Sequence, residues 1–147
     1  MKKLKNRIIP LLMIVGVFAL LLSGCGKSKQ ERYEADESNV NSIYGASIFP
    51  YDYSDNSEGK SSKEVFIETT DKTISEAKEC KMYTKEGKAV KKSILALRKQ
   101  EKKFYLKYYY EDFKGTAPDA NEKLKKYYTD VEKKVEKFEK KYNKVMK

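Results

Sequence analysis

Two cysteines, twelve tyrosines and a missing histidine set the chemistry open to this chain. Cys25 ends the sequence Leu22-Ser23-Gly24-Cys25, directly after an apolar run. If Cys25 is consumed, Cys80 has no partner and no disulfide forms within the chain. Cys80 falls three residues after Ala77 on an apolar stripe, so its burial is expected. Without His, the residue best suited to proton transfer near neutral pH is lacking, along with the Ser–His and Cys–His nucleophile pairs. The commonest zinc ligand is lost too, and one remaining thiol cannot complete a structural site. The seven glycines are scattered and form no phosphate-cradling loop. Adjacent carboxylates such as Glu111 and Asp112 point in different directions on a helix and sit among lysines. The expectation is a protein with no catalytic residues, cofactor or metal, and hence not an enzyme.

Tyrosine is the most unusual component. Phe104, Tyr105, Tyr108, Tyr109, Tyr110 and Phe113 crowd one stretch, and Leu124, Tyr127 and Tyr128 open the next. Three consecutive tyrosines at 108–110 span about 200° of an α-helix, so at least one is exposed. An amphipathic ring between lysines suits protein contacts or a membrane–water boundary. Tyr105, Tyr108, Tyr109, Tyr110, Tyr127 and Tyr128 are therefore the candidate interaction surface; the plainer reading is that the rings fill a wide bundle end.

The start of the chain has three zones. Lys2, Lys3, Lys5 and Arg7 are positive, Ile8 to Leu22 are apolar apart from Pro10 and Gly16, and small residues follow. The apolar stretch falls short of the roughly 20 residues a comfortable membrane span needs, and the pattern is that of a signal segment to be removed. Leu22-Ser23-Gly24-Cys25 resembles the lipobox of bacterial lipoproteins. That resemblance covers about the first 25 residues and implies cleavage after Gly24, with diacylglyceryl modification of the Cys25 thiol. It also implies attachment to the extracytoplasmic face of the cell membrane. Each buried CH₂ of such an anchor contributes about 0.8 kcal/mol. Residues Phe18 to Gly24 also resemble the small apolar pheromones released from some lipoprotein signals, an alternative in which the fragment is the product.

Charge divides the remainder. The formal charge of +10 drops to +6 without the four cations of residues 1–24. Residues 25–62 carry −3 and residues 63–147 carry +9. Export removes nucleic acid as a partner and leaves envelope proteins, anionic wall polymers and lipid headgroups. The cations are almost all Lys interspersed with Glu, the pattern of a solvated face, and Lys lacks the planar fork for bidentate anion recognition.

These residues need elements to position them. Residues 26–62 are rich in Ser, Asn, Asp, Glu and Gly without a sustained period and read as a flexible polar tether, 25–61 with its lipidated Cys25. An aromatic knot, Ile43-Tyr44 and Ile48 to Tyr53, interrupts it and is expected to fold back onto the domain; docking a partner is the alternative. Ser61 and Glu64 fit a capping box, and Phe66, Thr70, Ile74, Ala77 and Cys80 step by three or four. That predicts a helix over 62–85, with a short strand at 64–70 as the alternative and a break at Gly87 in a left-handed C′ position. Val90, Ile94, Leu97, Phe104 and Tyr108 predict a helix over 89–114, provided Glu101 fills the missing seam position. Gly115 stops it, and Thr116 or Ala117 precedes Pro118 in a new first turn. Leu124, Tyr128, Val131, Val135, Phe138, Tyr142 and Val145 form a heptad seam over 118–146.

The fold expected is all-α: an antiparallel three-helix bundle (62–85, 89–114, 118–146) of basic residues 62–147, following the signal segment 1–24 and the tether. A two-helix coiled-coil hairpin with a loose first segment is the alternative. A hairpin at Gly115 would bring the tyrosines to one pole, and with them the tether and the membrane. The function expected is a membrane-anchored, non-enzymatic helical interaction module of the envelope, with electrostatic attachment to anionic wall polymer or lipid as the second reading.

Overall fold

A computed structural model describes residues 26–46, 48, 59–111 and 118–147. Among these residues the chain is 84 % helix with no strand. The described residues form four α-helices: α1 (Lys29–Gly45), α2 (Ser62–Glu79), α3 (Lys85–Tyr105) and α4 (Ala120–Val145). A π-helical turn, Leu106–Glu111, continues α3.

Local chemistry sets most of the boundaries. Ser28 and Ser61 each accept a hydrogen bond from the backbone N–H three residues on, while Glu31 and Glu64 reach back to the Ser28 and Ser61 N–H groups. These are complete capping boxes, which satisfy donors that the first helical turn leaves without partners. Asp119 caps α4 through Asn121 N–H at 2.8 Å. Pro118 thus stands before the cap rather than in the first turn, since the acid beside it takes the capping position.

The all-α expectation is correct, but the described residues hold four helices where three were expected. The added helix is α1, cut from the segment read as a tether. Tyr33, Asp36, Val40 and Ile43 are buried at steps of three and four. This spacing is faint in the sequence because only four inward positions are needed, one of them a carboxylate. Ile43 and Ile48 of the aromatic knot are also buried, Tyr44 is exposed, and Phe49 to Tyr53 lie outside the described residues. The segment 64–70 is helical, not a strand.

The break between α2 and α3 falls at 80–84 rather than at Gly87. Gly87 is buried in the first turn of α3, where Thr84 is the cap. Cys80 follows the last turn of α2 and is half-buried. Gly115 lies outside the described residues.

Helix α3 is the hub. Val90, Ile94 and Leu97 are sealed from solvent at the centre of the core, with Phe66 of α2 and Val131 of α4. The α3–α4 packing is the most extensive in the molecule. Glu101 meets Tyr128 and Ser93 meets Asp130, so the two helices run antiparallel. Helix α2 is also antiparallel to α3: Lys91 reaches Cys80 while Tyr105 reaches Phe66. Helix α1 runs parallel to α3, with Tyr33 beside Glu86 and Tyr44 beside Arg98, and stacks Tyr33 on Phe138 of α4. In the α4 seam, Leu124, Val131 and Phe138 are buried whereas Tyr128, Val135 and Tyr142 are partly so. None of the described helices is long and apolar enough to cross a membrane.

Candidate functional site

The tyrosines converge where α3 ends. Phe104 and Tyr105 are the last inward residues of the α-helix, and the backbone then widens into π geometry. In an α-helix, residues five apart are about 140° from a common face. Across the π turn Tyr105 and Tyr110 instead both meet Phe66 of α2, at ring distances of 6.2 and 5.1 Å. Such turns are rare and often mark functional sites. Pairs four residues apart meet as on any helix: Tyr108 lies against Phe104 at 4.9 Å and Tyr109 against Tyr105 at 5.5 Å.

The six candidate tyrosines do not form one surface. Tyr109 is the most open, 42 % exposed. Tyr108 and Tyr127 are half-buried, each with an ammonium over its ring, Lys107 at 5.2 Å and Lys126 at 4.9 Å. Tyr110 is half-buried against Phe66. Tyr105 is buried and leaves the surface set, because it lies on the inward arc with Glu101 and Phe104. Tyr128 is half-buried and donates its hydroxyl to Glu101 Oε1 at 3.1 Å. Burial, then the Glu101 charge, pushes the Tyr128 phenol far above its ordinary value. Burial and Glu101 push Tyr105 upward as well. Neither phenol is suited to ionise near neutral pH.

Below the ring cluster lies a buried ion pair. Arg98 Nη1 donates to Glu101 Oε2 at 2.7 Å, and Arg98 Nη2 donates to the Tyr44 carbonyl at 2.8 Å. Arg98 and Glu101 are 5 % and 3 % exposed. The pair ties α1 and α4 to α3. Sequence reasoning found Glu101 as an intruder in the seam but missed Arg98; an Arg three residues before that acid, one of three arginines in a chain that mostly uses Lys, was the available signal.

A second polar centre stands at the opposite end of α3. Asp36 of α1 is completely buried. Its Oδ1 accepts from Tyr83 N–H at 2.7 Å; its Oδ2 accepts from Thr84 N–H at 2.7 Å and from the Thr84 hydroxyl at 2.5 Å. Thr84 Oγ1 in turn accepts from Gly87 N–H at 2.9 Å. A carboxylate from another helix thus holds the positive end of the α3 dipole. Gly87 is required by this approach: a Cβ there would lie 2.8 Å from Asp36 Cγ and closer still to Oδ2. Nearby, Tyr33 donates to Glu86 at 3.0 Å. Burial, then this bond, pushes the Tyr33 phenol up to about 12. Burial acts to raise the Glu86 carboxyl, but its backbone N–H, the Tyr33 hydroxyl, Lys141 and Lys137 outweigh it and lower its pKa.

The ends of the molecule differ from the expected arrangement. Lys27 places its ammonium 4.2 Å from the Tyr83 ring centre, and Gln30 reaches the Val145 carbonyl at 3.5 Å. Residues 26–28 therefore lie at the Thr84 pole, not at the tyrosine pole. The expectation assumed that a tether led straight to α2; α1 instead runs the length of α3 first and reverses the polarity.

Among the described residues no cluster of His, Cys, Asp and Glu is arranged to hold a metal ion. No family model, curated protein or solved structure matches the chain. The class defined by fold and site is thus an all-α protein with an aromatic pole and a capped polar pole.

Proposed function

We propose that this chain is a lipid-anchored, non-enzymatic interaction module of the cell envelope. It is held at the extracytoplasmic face of the membrane through Cys25 and engages a partner protein through the tyrosine pole. In this reading residues 1–24 are removed on export, and α2, α3 and α4 form an antiparallel bundle that α1 closes. The observation that carries it is the placement of residues 26–28 at the Thr84 pole while Tyr109 lies exposed at the other end of α3. Twenty-one residues of helix separate the two by about 30 Å. A chain attached through Cys25 would thus hold Tyr109, with Tyr108 and Tyr127 beside their lysines, away from the lipid. Rigid aromatic rings of this kind are frequent anchors of protein interfaces.

Two measurements test the proposal. Metabolic labelling with an acyl-chain analogue should tag the wild-type chain and leave Cys25→Ser unlabelled. A photo-crosslinking residue in place of Tyr109 should give a discrete adduct in cells, while the same residue at exposed Lys140 on α4 should not. Tyr109→Ser, combined with a crosslinker at Tyr108, should abolish the adduct without loss of helicity. Identical adducts from both sites, or none from Tyr109, would sink the partner reading.

A further inference from the structure

A groove runs between the C-terminal end of α2 and the outer face of α3, with a volume of about 840 Å³. That is the size range of small-ligand sites. Its floor is apolar, from Met82, Leu95 and one side of Cys80. Lys88, Lys92 and Lys99 line it from α3 and are all exposed. Lys91 is differently employed: its Nζ donates to the Lys78 and Cys80 carbonyls at 2.5 and 2.6 Å, closing the end of α2. Glu79 is the one carboxylate among the described lining residues, and none of the described carboxylates forms an ion pair with Lys88, Lys92 or Lys99. An apolar floor beneath uncompensated ammonium groups is complementary to an anionic amphiphile.

The groove adjoins the pole that holds residues 26–28. Its Cys80–Met82 end leads into Tyr83, whose ring carries Lys81 at 5.2 Å and Lys27 at 4.2 Å. Lys27 is two residues from Cys25. We propose that this groove receives an anionic phospholipid from the membrane surface, its acyl chain along Met82 and Leu95 and its phosphate among Lys88, Lys92 and Lys99. The proposal rests on the reading of Cys25 as the membrane attachment. A lipid anchor joined to a basic patch holds a protein on an anionic surface more firmly than either alone. The tyrosine pole, at the other end of α3, stays free for a partner.

The test uses the chain purified from membranes and mixed with vesicles of phosphatidylcholine, either alone or with phosphatidylglycerol. Cys80 reports the groove through its rate of alkylation by a membrane-impermeant maleimide. Acetylation of Lys92 is a second report, with Lys140 on α4 as the control. On phosphatidylglycerol vesicles, Cys80 should react and Lys92 acetylate several-fold more slowly than on phosphatidylcholine, with Lys140 unchanged. Lys88→Glu/Lys92→Glu should restore fast Cys80 alkylation. Equal rates on the two vesicles, or protection that survives the double substitution, overturns the proposal. Equal protection by soluble polyglutamate assigns the groove to acidic polymers and overturns it as well. Flotation separates this outcome from that of the anchor. Flotation with both vesicles but no Cys80 difference keeps the anchor and removes the groove ligand; flotation with anionic vesicles only, with Cys80 protected, does the reverse.

Discussion

At the scale of single residues, Asp36 and Gly87 are one device. The carboxylate reaches from α1 into the first turn of α3, and the missing Cβ at 87 leaves room for it. Ordinary helix propensity favours Ala over Gly by about 1 kcal/mol. Gly87→Ala should nonetheless destabilise by about 2 kcal/mol, because the methyl overlaps the carboxylate and overpacking costs more than propensity returns. In an Asp36→Ala background the same substitution should become neutral or stabilising, which a double-mutant cycle in urea would read. Asp36→Ala alone should cost about 3 kcal/mol, since it leaves the buried Thr84 N–H and the half-buried Tyr83 N–H without an acceptor. The Arg98–Glu101 pair obeys a related logic. Arg98→Met strands a buried carboxylate and should cost about 3–5 kcal/mol, whereas Arg98→Met/Glu101→Leu should recover much of that loss.

Elements show the same dependence on partners. Helix α2 has a complete capping box, and the Ser61 backbone N–H, then its hydroxyl, hold the Glu64 carboxyl below the ordinary carboxylate value of 4.5. Glu31 is lowered in the same way by Ser28. A lowered folded-state value contributes stability above the unfolded value that is lost as pH falls through the folded one. Stability from this source should therefore hold down to about pH 4.5 and decline below it, with Ser61→Ala flattening part of that dependence. The π turn is an element whose shape follows from packing: Phe66, fully buried, takes both Tyr105 and Tyr110. Phe66→Ala should cost about 3–5 kcal/mol and release the tyrosine pole, raising Tyr110 exposure in hydrogen-exchange and footprinting measurements.

Taken as a whole, the molecule has phenols from three helices protected from ionisation: Tyr33 of α1, Tyr105 of α3 and Tyr128 of α4. Their folded-state values lie above the ordinary 10, so the folded form keeps its protons longer than the unfolded chain. Stability from this source is complete below pH 10 and is lost as pH rises from there toward about 12. Unfolding followed by circular dichroism should coincide with a late, cooperative burst of tyrosinate absorbance from these phenols. Removal of residues 26–46 offers a second test at this scale. A tether could be deleted without effect; deletion of α1 should instead unfold much of the remaining chain by uncovering Phe138 and removing the Asp36 cap.

Sequence alone determined what is local. The periodicities of α2, α3 and α4, the Ser61–Glu64 capping box, the inward position of Glu101 and the crowding of tyrosines at the end of α3 were legible, because each depends on neighbours within a turn or two. Tertiary structure decided the rest. Asp36 looked like one of several acids in a polar segment and became a buried cap only through residues about fifty positions away in the chain. Gly87 looked like a helix stop, since nothing near it in sequence shows that a carboxylate occupies the space of its Cβ. Tyr105 left the candidate surface because it lies on the inward arc with Glu101 and Phe104, and residues 26–28 came to the Thr84 pole because α1 packs parallel to α3. A residue's type and spacing fix what it can do; which residues meet is set by burial among distant segments, and that alone placed Cys25's neighbours and Tyr109 at opposite ends.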